Sequence, residues 1–165
     1  MTQLAAEEIV QIVDRDNTPT DAVPRKIMRQ QGLIHRASYI LVFNGANELF
    51  IQKRTMIKDI FPGFWDIAAG GVVLAGETYD ESARRELFEE LGVKDIPIEF
   101  LFHHYFDDGT NKVWGGVYRC RHEGPFILQK EEIESGMFIP VEDIFNNTLQ
   151  GPVTPDGIEI LEKLI

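Results

Sequence analysis

Two spacings of apolar residues alternate along the chain. A period of two marks strands, because successive side chains of an extended backbone point to opposite faces. Residues 38–43 (SYILVF) carry the densest run of β-forming side chains, and residues 49–54 follow as a returning strand. In that second segment Leu49, Ile51 and Lys53 lie on one side and Phe50, Gln52 and Arg54 on the other. Residues 98–106, 112–121 and 133–139 read as three more strands, and 9–13, 19–23, 65–69 and 71–74 as shorter extended pieces. A period near 3.6 marks helices. Between Thr78 and Gly92, Ala83, Leu87 and Leu91 recur at four-residue spacing with Phe88 beside them, which predicts a core-facing stripe. Residues 155–164 repeat the pattern with Ile158, Leu161 and Leu164 or Ile165 on the buried side, and Thr154 as cap. Two shorter helices are predicted at 25–31, opened by Pro24 and ended by Gly32, and at 141–145 after Pro140.

The breaks between these elements carry turn chemistry: Asn44-Gly45, Pro62-Gly63 within the loop 58–63, and the Asp-Asp-Gly-Thr-Asn run at 107–111. No repeat, low-complexity tract or linker interrupts them. The expectation is one α/β (α+β) domain spanning 1–165, with residues 1–35 as an N-terminal appendage packed on the core.

The net charge of −11 changes the choice of partners. It repels a phosphate backbone and argues against a nucleic-acid polymer, whereas a small anionic substrate stays admissible if bound cations reverse the local field. No apolar run is long enough for a bilayer, and the acidic N-terminus lacks the basic-then-apolar order of a signal peptide. Cys120 is the only cysteine, which excludes an intrachain disulfide and suits a cytoplasmic protein.

The candidate chemistry lies in residues 71–93, GVVLAGETYDESARRELFEELGV. Thr78 and Glu81 have the spacing of a capping box, Asp80 and Glu81 suit the positive helix end, and Gly92 is a natural stop. On this helix Glu86, Glu89 and Glu90 fall within roughly a quarter of the circumference. Like charges so close destabilise a helix by about 0.2–0.5 kcal/mol per pair. A hard divalent cation held by carboxylate oxygens is the economical compensation. An acidic helix face standing alone is ordinarily solvated surface; here the Gly70-Gly71 pair, Glu77 and Arg85 around it favour a site.

The stretch resembles the signature of the Nudix hydrolases. That pattern is Gly, five residues, Glu, seven residues, then Arg-Glu-bulky aliphatic-any-Glu-Glu-any-Gly-bulky aliphatic. It is met at Gly71, Glu77, Arg85, Glu86, Leu87, Glu89, Glu90, Gly92 and Val93 without departure. The resemblance implies the Nudix fold, a mixed β-sheet sandwiched between α-helices. It also implies a Mg2+-dependent (or Mn2+-dependent) pyrophosphohydrolase acting on a small-molecule nucleoside diphosphate derivative. Glu89 and Glu90 would bind metal, Glu86 would be ligand or base, and a carbonyl of Gly71 or Gly70 would add an oxygen. Arg85 would pair with Glu77 to steady the glutamates. The oligomeric state is left open, a homodimer included.

Outside the signature the candidates are weaker. Arg54, Lys53 and Lys58 are cations of the type that meets phosphates, or simply solubilising charges. Trp65 has the ring to stack on a base, although aromatics at such positions are more often core. Glu132, in an acidic run, has the chemistry of an added ligand or base. Residues 12–71 also resemble isopentenyl-diphosphate isomerase, through VDRDN, GLIHRASYILVFN and LFIQKRTMIKDIFPGFWD. The isomerase's catalytic cysteine and neighbouring metal-binding histidine are matched here by Gly70 and Val72, and of its metal-site histidines only His35 is retained. A hydrolase is therefore expected, with an isomerase or a non-catalytic nucleotide-binding module as the alternatives.

Overall fold

The computed structural model describes residues 1–165. The N-terminal portion contains α1 (Gln3–Glu7), β1 (Ile9–Val13), β2 (Pro19–Pro24) and α2 (Arg25–Gln31). The middle contains β3 (His35–Phe43), β4 (Leu49–Arg54), β5 (Trp65–Asp66), β6 (Ala69–Val72) and α3 (Tyr79–Leu91). The chain finishes with β7 (Glu99–Asp107), β8 (Lys112–Arg121), β9 (Ile133–Ile139), α4 (Val141–Phe145) and α5 (Pro155–Leu164). No helix is long and apolar enough to cross a membrane.

All nine strands belong to one mixed sheet. Its axis is β3, which pairs in parallel with β8 along its whole length, from His35 against Val113 to Phe43 against Arg121. The other edge of β3 is shared: β1 meets it at His35, β6 runs antiparallel over Ala37–Ile40, and β4 meets it at Phe43. Because β6 takes the middle of that edge, β3 and β4 do not form a long hairpin despite the Asn44-Gly45 turn. Instead β4 finds its main partner in β9.

The alternation of β3 and β4 sorts side chains between two cores. Ile40, Val42 and Phe50 pack with Ala83, Leu87 and Leu91 of α3. Leu41, Leu49 and Ile51 pack on the opposite face with Ile144 of α4 and Ile160 and Leu161 of α5. The sheet is thus a filling between helices, and α3 is pressed on it by a stripe worth about 1.5–3 kcal/mol per fully buried leucine. The helix ends as its sequence dictates. Thr78 Oγ accepts from Glu81 N–H at 3.1 Å, Glu81 accepts from Thr78 N–H at 3.3 Å, and Gly92 turns left-handed at φ 70°.

Some sequence expectations change. Phe88 is 52% exposed; it lies outside the stripe, beneath the Lys94 ammonium. Thr154 precedes α5 but its buried hydroxyl makes no capping bond. The short α1 was not expected, since its five residues bury nothing. On β7 the adjacent histidines face opposite ways: His104 is buried against Glu159, and His103 stacks at the surface beside Tyr79 and Phe100.

The first thirty-odd residues are joined to the sheet. Val10 bridges Leu74, Gln11 N–H donates to Val73 O at 3.2 Å, and Val10, Ile12 and Met28 pack on Val72. Asn17, from the β1–β2 turn, contacts Tyr79 Oη at the start of α3.

Candidate active site

Two glycines allow the loop before α3 to approach its neighbours. At Gly70, with φ 145°, a Cβ would lie 1.8 Å from Ser38 O. At Gly71 a Cβ would lie 2.6 Å from Glu86 Oε1. Removing these side chains lets β6 lie against β3 and lets the Glu86 carboxylate approach the backbone.

The three glutamates of α3 are not equivalent. Glu90 is buried, and its Oε1 accepts from Gly70 N–H at 2.8 Å. Glu86 has a side chain only 13% exposed, and its Oε1 accepts from Arg85 Nη1 at 2.9 Å. In both, the hydrogen bonds engage Oε1 and leave Oε2 without a protein donor. Burial pushes the Glu86 carboxyl up to about 7; Arg85 opposes that rise and Glu89 adds to it. Burial, and then the charge of Glu86, push Glu90 well above the ordinary carboxylate range. Glu89 is different: it is half-exposed, with Oε2 accepting from Arg85 Nη1 at 3.1 Å. No three acids, histidines or cysteines converge into a ready metal cage. What the fold brings together is a destabilised pair of hard oxygen donors, with Glu89 at the rim.

Arg85 is the brace. Its Nε and Nη2 grip both oxygens of Glu77 at 2.6 and 2.9 Å, a fork-to-fork pair, while Nη1 reaches the two glutamates. Glu77 Oε1 also accepts from Leu74 N–H at 2.9 Å. Burial alone would raise the Glu77 carboxyl, but the bonds from Arg85 and Leu74 outweigh it and hold the group below its usual value.

Beside Gly70 and Gly71 opens a pocket of about 80 Å³. Four cations line it, Arg25, Arg29, Arg54 and Lys58, together with Asp66 and Asp156. Arg54 is fixed by Asp66 at 2.8 Å and by two bonds to Ile60 O. Lys58 pairs with Glu132, and the charges of both act on Glu90, so this pair sits close to the carboxylates. His35 is buried and stays neutral, its ring pushed down to about 3 by burial and then by Arg29.

Of the outlying residues proposed from sequence, Arg54, Lys58 and Glu132 do gather near the glutamates. Trp65 does not. It is buried in the core on the α5 side, with its indole N–H donating to Gln150 O at 2.9 Å, and offers no face to the pocket. Sequence reasoning passed over Arg25, Arg29, Tyr39, Thr154 and Asp156 as pocket residues. Only Arg25 and Arg29 left a trace, as two cations four apart on one face of a short helix.

Comparison with known proteins agrees with this geometry. The family model of the NUDIX domain matches residues 33–164. The Nudix hydrolase PA4841 of Pseudomonas aeruginosa is 41% identical over 154 residues, covering 93% of this chain and 91% of the relative. The Nudix hydrolase YfcD of Escherichia coli K12 is 40% identical over 159 residues, covering 96% and 87%. Among solved structures, DR0079 from Deinococcus radiodurans superposes with a TM-score of 0.82 at 24% identity, covering 94% of this chain and 98% of that one. The NUDIX domain of Shewanella oneidensis NrtR, solved with ADP ribose, superposes at 0.62 and 17% identity, covering 79% and 85%. The NUDIX match over residues 33–164, together with relatives about 40% identical across nearly the whole chain, makes this protein, with its glycine loop and braced acidic helix, a member of the Nudix hydrolase family, whose enzymes act on pyrophosphate bonds.

Proposed function

We propose that the protein is a magnesium-dependent pyrophosphohydrolase that cleaves the phosphoanhydride of a nucleoside diphosphate linked to another moiety. The observation that carries this reading is the buried Glu86–Glu90 pair beside Gly70 and Gly71. Burial raises the proton affinity of both carboxylates, the charge of Glu86 raises that of Glu90 further, and each keeps an oxygen free of protein donors. That donor set fits a hard divalent cation, Mg2+ or Mn2+. Such an ion, when bound, supplies charge neutralisation at the phosphates and a more acidic water.

The chain's own residues supply the rest. Glu86 and Glu90 would hold the ion from the buried side and Glu89 from the rim, with a carbonyl of Gly71 or Gly70 as a further oxygen. Arg85, tied to Glu77, positions Glu86 and Glu89. Arg54 and Lys58 present positive charge to the phosphates along the pocket wall. Glu132, beside Glu90, is a candidate to take the proton of the attacking water, as is Glu86. The ADP ribose in the Shewanella domain supports a small nucleotide derivative as the kind of molecule such a fold admits.

The isomerase alternative loses support at Gly70. A cysteine there would drive its Cβ to 1.8 Å from Ser38 O, so this backbone is not built to carry that nucleophile. A silent binding module would not require the complete set of glutamates. Titrating Mg2+ against nucleoside diphosphates, nucleotide sugars and dinucleotides, while following nucleotide and phosphate release, tests the reading. Turnover that needs the metal and collapses in Glu89→Gln and Glu90→Gln is expected. Full activity in both variants would remove the metal assignment, and tight nucleotide binding without turnover would favour the module.

A further inference from the structure

The approach to Gly70 changes strand on the way. Trp65 and Asp66 pair with β4, at Lys53 and Gln52. Ala69 and Gly70 pair instead with β3, at Ile40 and Tyr39. Ile67 and Ala68 form the bend between these pairings and belong to neither ladder. Both are buried, so a backbone group left single there has no water to meet.

A side chain fills the gap. Gln52 Nε2 donates to Ala68 O at 2.8 Å. Two residues along β4, Arg54 secures the start of the same bend, its Nη1 holding the Asp66 carboxylate at 2.8 Å. By the alternation of the strand, Phe50, Gln52 and Arg54 share one face. Phe50 packs there with Leu87 and Leu91 of α3, and the charge of Glu90 acts on Arg54. Gln52 lies between them, on the side of the sheet that faces the carboxylates.

Two residues beyond the clamped carbonyl, Gly70 N–H donates to Glu90 Oε1 at 2.8 Å. Where that donor sits depends on how the bend is held, and the bend is held by Gln52.

Stability alone does not account for a glutamine at this position. The residue is 3% exposed, and its Oε1 is buried without a partner. Turning the amide over brings no relief, because Oε1 would then face Ala68 O, acceptor against acceptor. One hydrogen bond is made and one acceptor is stranded, an exchange that brings folding little. What it secures is the place of a backbone donor that touches the site.

We propose that Gln52 is a positioning residue for the metal site: by clamping Ala68 O it keeps Gly70 N–H on Glu90 Oε1, so that Glu90 presents its other oxygen to the ion in one fixed direction. This rests on the hydrolase reading above and adds to it a residue outside the 71–93 stretch. Gln52 itself touches neither ion nor substrate; it acts through Ala68, Gly70 and Glu90.

Three variants of the full chain test it, after melting curves confirm folding. Gln52→Met keeps the length of the side chain and removes the donor; Gln52→Leu, equally without a donor, replaces it if Gln52→Met does not fold. Gln52→Glu restores a donor while its carboxyl is protonated, as burial keeps it at about pH 5.5. Leu161→Ala, in the core on the other face of the sheet, reports what lost stability does by itself. The first measurement is amide hydrogen exchange in EDTA, followed by NMR. Protection of the Gly70 amide should fall at least about tenfold further in Gln52→Met than in Leu161→Ala, and should stay within about threefold of wild type in Gln52→Glu at about pH 5.5. The second is a titration with Mn2+ alone, read by electron paramagnetic resonance. Its Kd should rise at least about tenfold in Gln52→Met and less than about twofold in Leu161→Ala. Gly70 protection equal in Gln52→Met and Leu161→Ala, or Mn2+ bound as tightly by Gln52→Met as by wild type, overturns the proposal. Gly70 protection lost in Gln52→Met, in a protein whose wild type binds no Mn2+ and hydrolyses nothing, would leave the clamp on Glu90 standing and refute the metal site and the hydrolase reading instead.

Discussion

Replacing Glu86 with glutamine should make the metal-free protein more stable at alkaline pH while impairing its activity. The folded Glu86 carboxyl sits at about 7 against an ordinary 4.5. A carboxyl raised in the folded state favours folding only while it stays protonated. That contribution is complete below the unfolded value of 4.5 and is lost as pH rises through about 7. Above pH 7 the gap amounts to roughly 3 kcal/mol of penalty for carrying the charge in a dry site. Glutamine removes the charge yet keeps an oxygen to accept from Arg85 Nη1. Urea denaturation with EDTA at pH 8.5 should therefore show Glu86→Gln more stable than wild type by up to about 3 kcal/mol, narrowing to a small difference at pH 4. Adding Mg2+ at pH 8.5 should stabilise wild type more than the variant. A variant no more stable than wild type at pH 8.5 without metal would refute the idea that the burial of the Glu86 charge outweighs its pairing with Arg85.

Arg85→Lys should behave almost like Arg85→Ala, because one ammonium cannot grip both Glu77 oxygens and two further glutamates; we expect at least a hundredfold loss of kcat/KM in each, and about 1.5–3 kcal/mol of stability lost in Arg85→Ala, read by kinetics and denaturation. Gly70→Ala should lower stability by several kcal/mol, since its Cβ has no room against Ser38 O, and a melting temperature within a degree or two of wild type would contradict the packing described. Leu87→Ala should cost about 2–5 kcal/mol by opening a cavity between α3 and the sheet, measured by urea denaturation. Trp65→Phe should lose the bond to Gln150 O and some stability but keep KM within about twofold, because the indole does not reach the pocket.

Local rules made much of the fold legible. The capping box at Thr78, the glycine stop at Gly92 and the two-residue alternation of β4 are short-range patterns, and each appears where its residues place it. The Arg85–Glu77 pairing suggested by the signature is present as well. Features decided by distant contacts were not legible. Nothing near Trp65 announces that Gln150, 85 residues on, will take its N–H. Nothing near Phe88 says that it will lie outside the buried stripe of α3 and stay exposed. The pocket assembles Arg25, Tyr39 and Asp156 from three remote segments, and only the topology of the sheet draws them together. The unequal burial of Glu86, Glu89 and Glu90 was equally hidden, because a helical wheel reports angle and not what lies opposite.

The stretch that cushions Val72 from behind is synthesised between 44 and 62 residues ahead of it. Val10, Ile12 and Met28 leave the ribosome before Val72 of β6 exists, so the glycine loop acquires its backing only when the two ends of that interval meet. A clone trimmed to begin at residue 33, tempting as a tidy boundary, would leave the back of the glycine loop bare and water-facing. Such a fragment should keep its helices and strands in circular dichroism while losing the loop's rigidity, and with it the shape that the proposed hydrolysis requires.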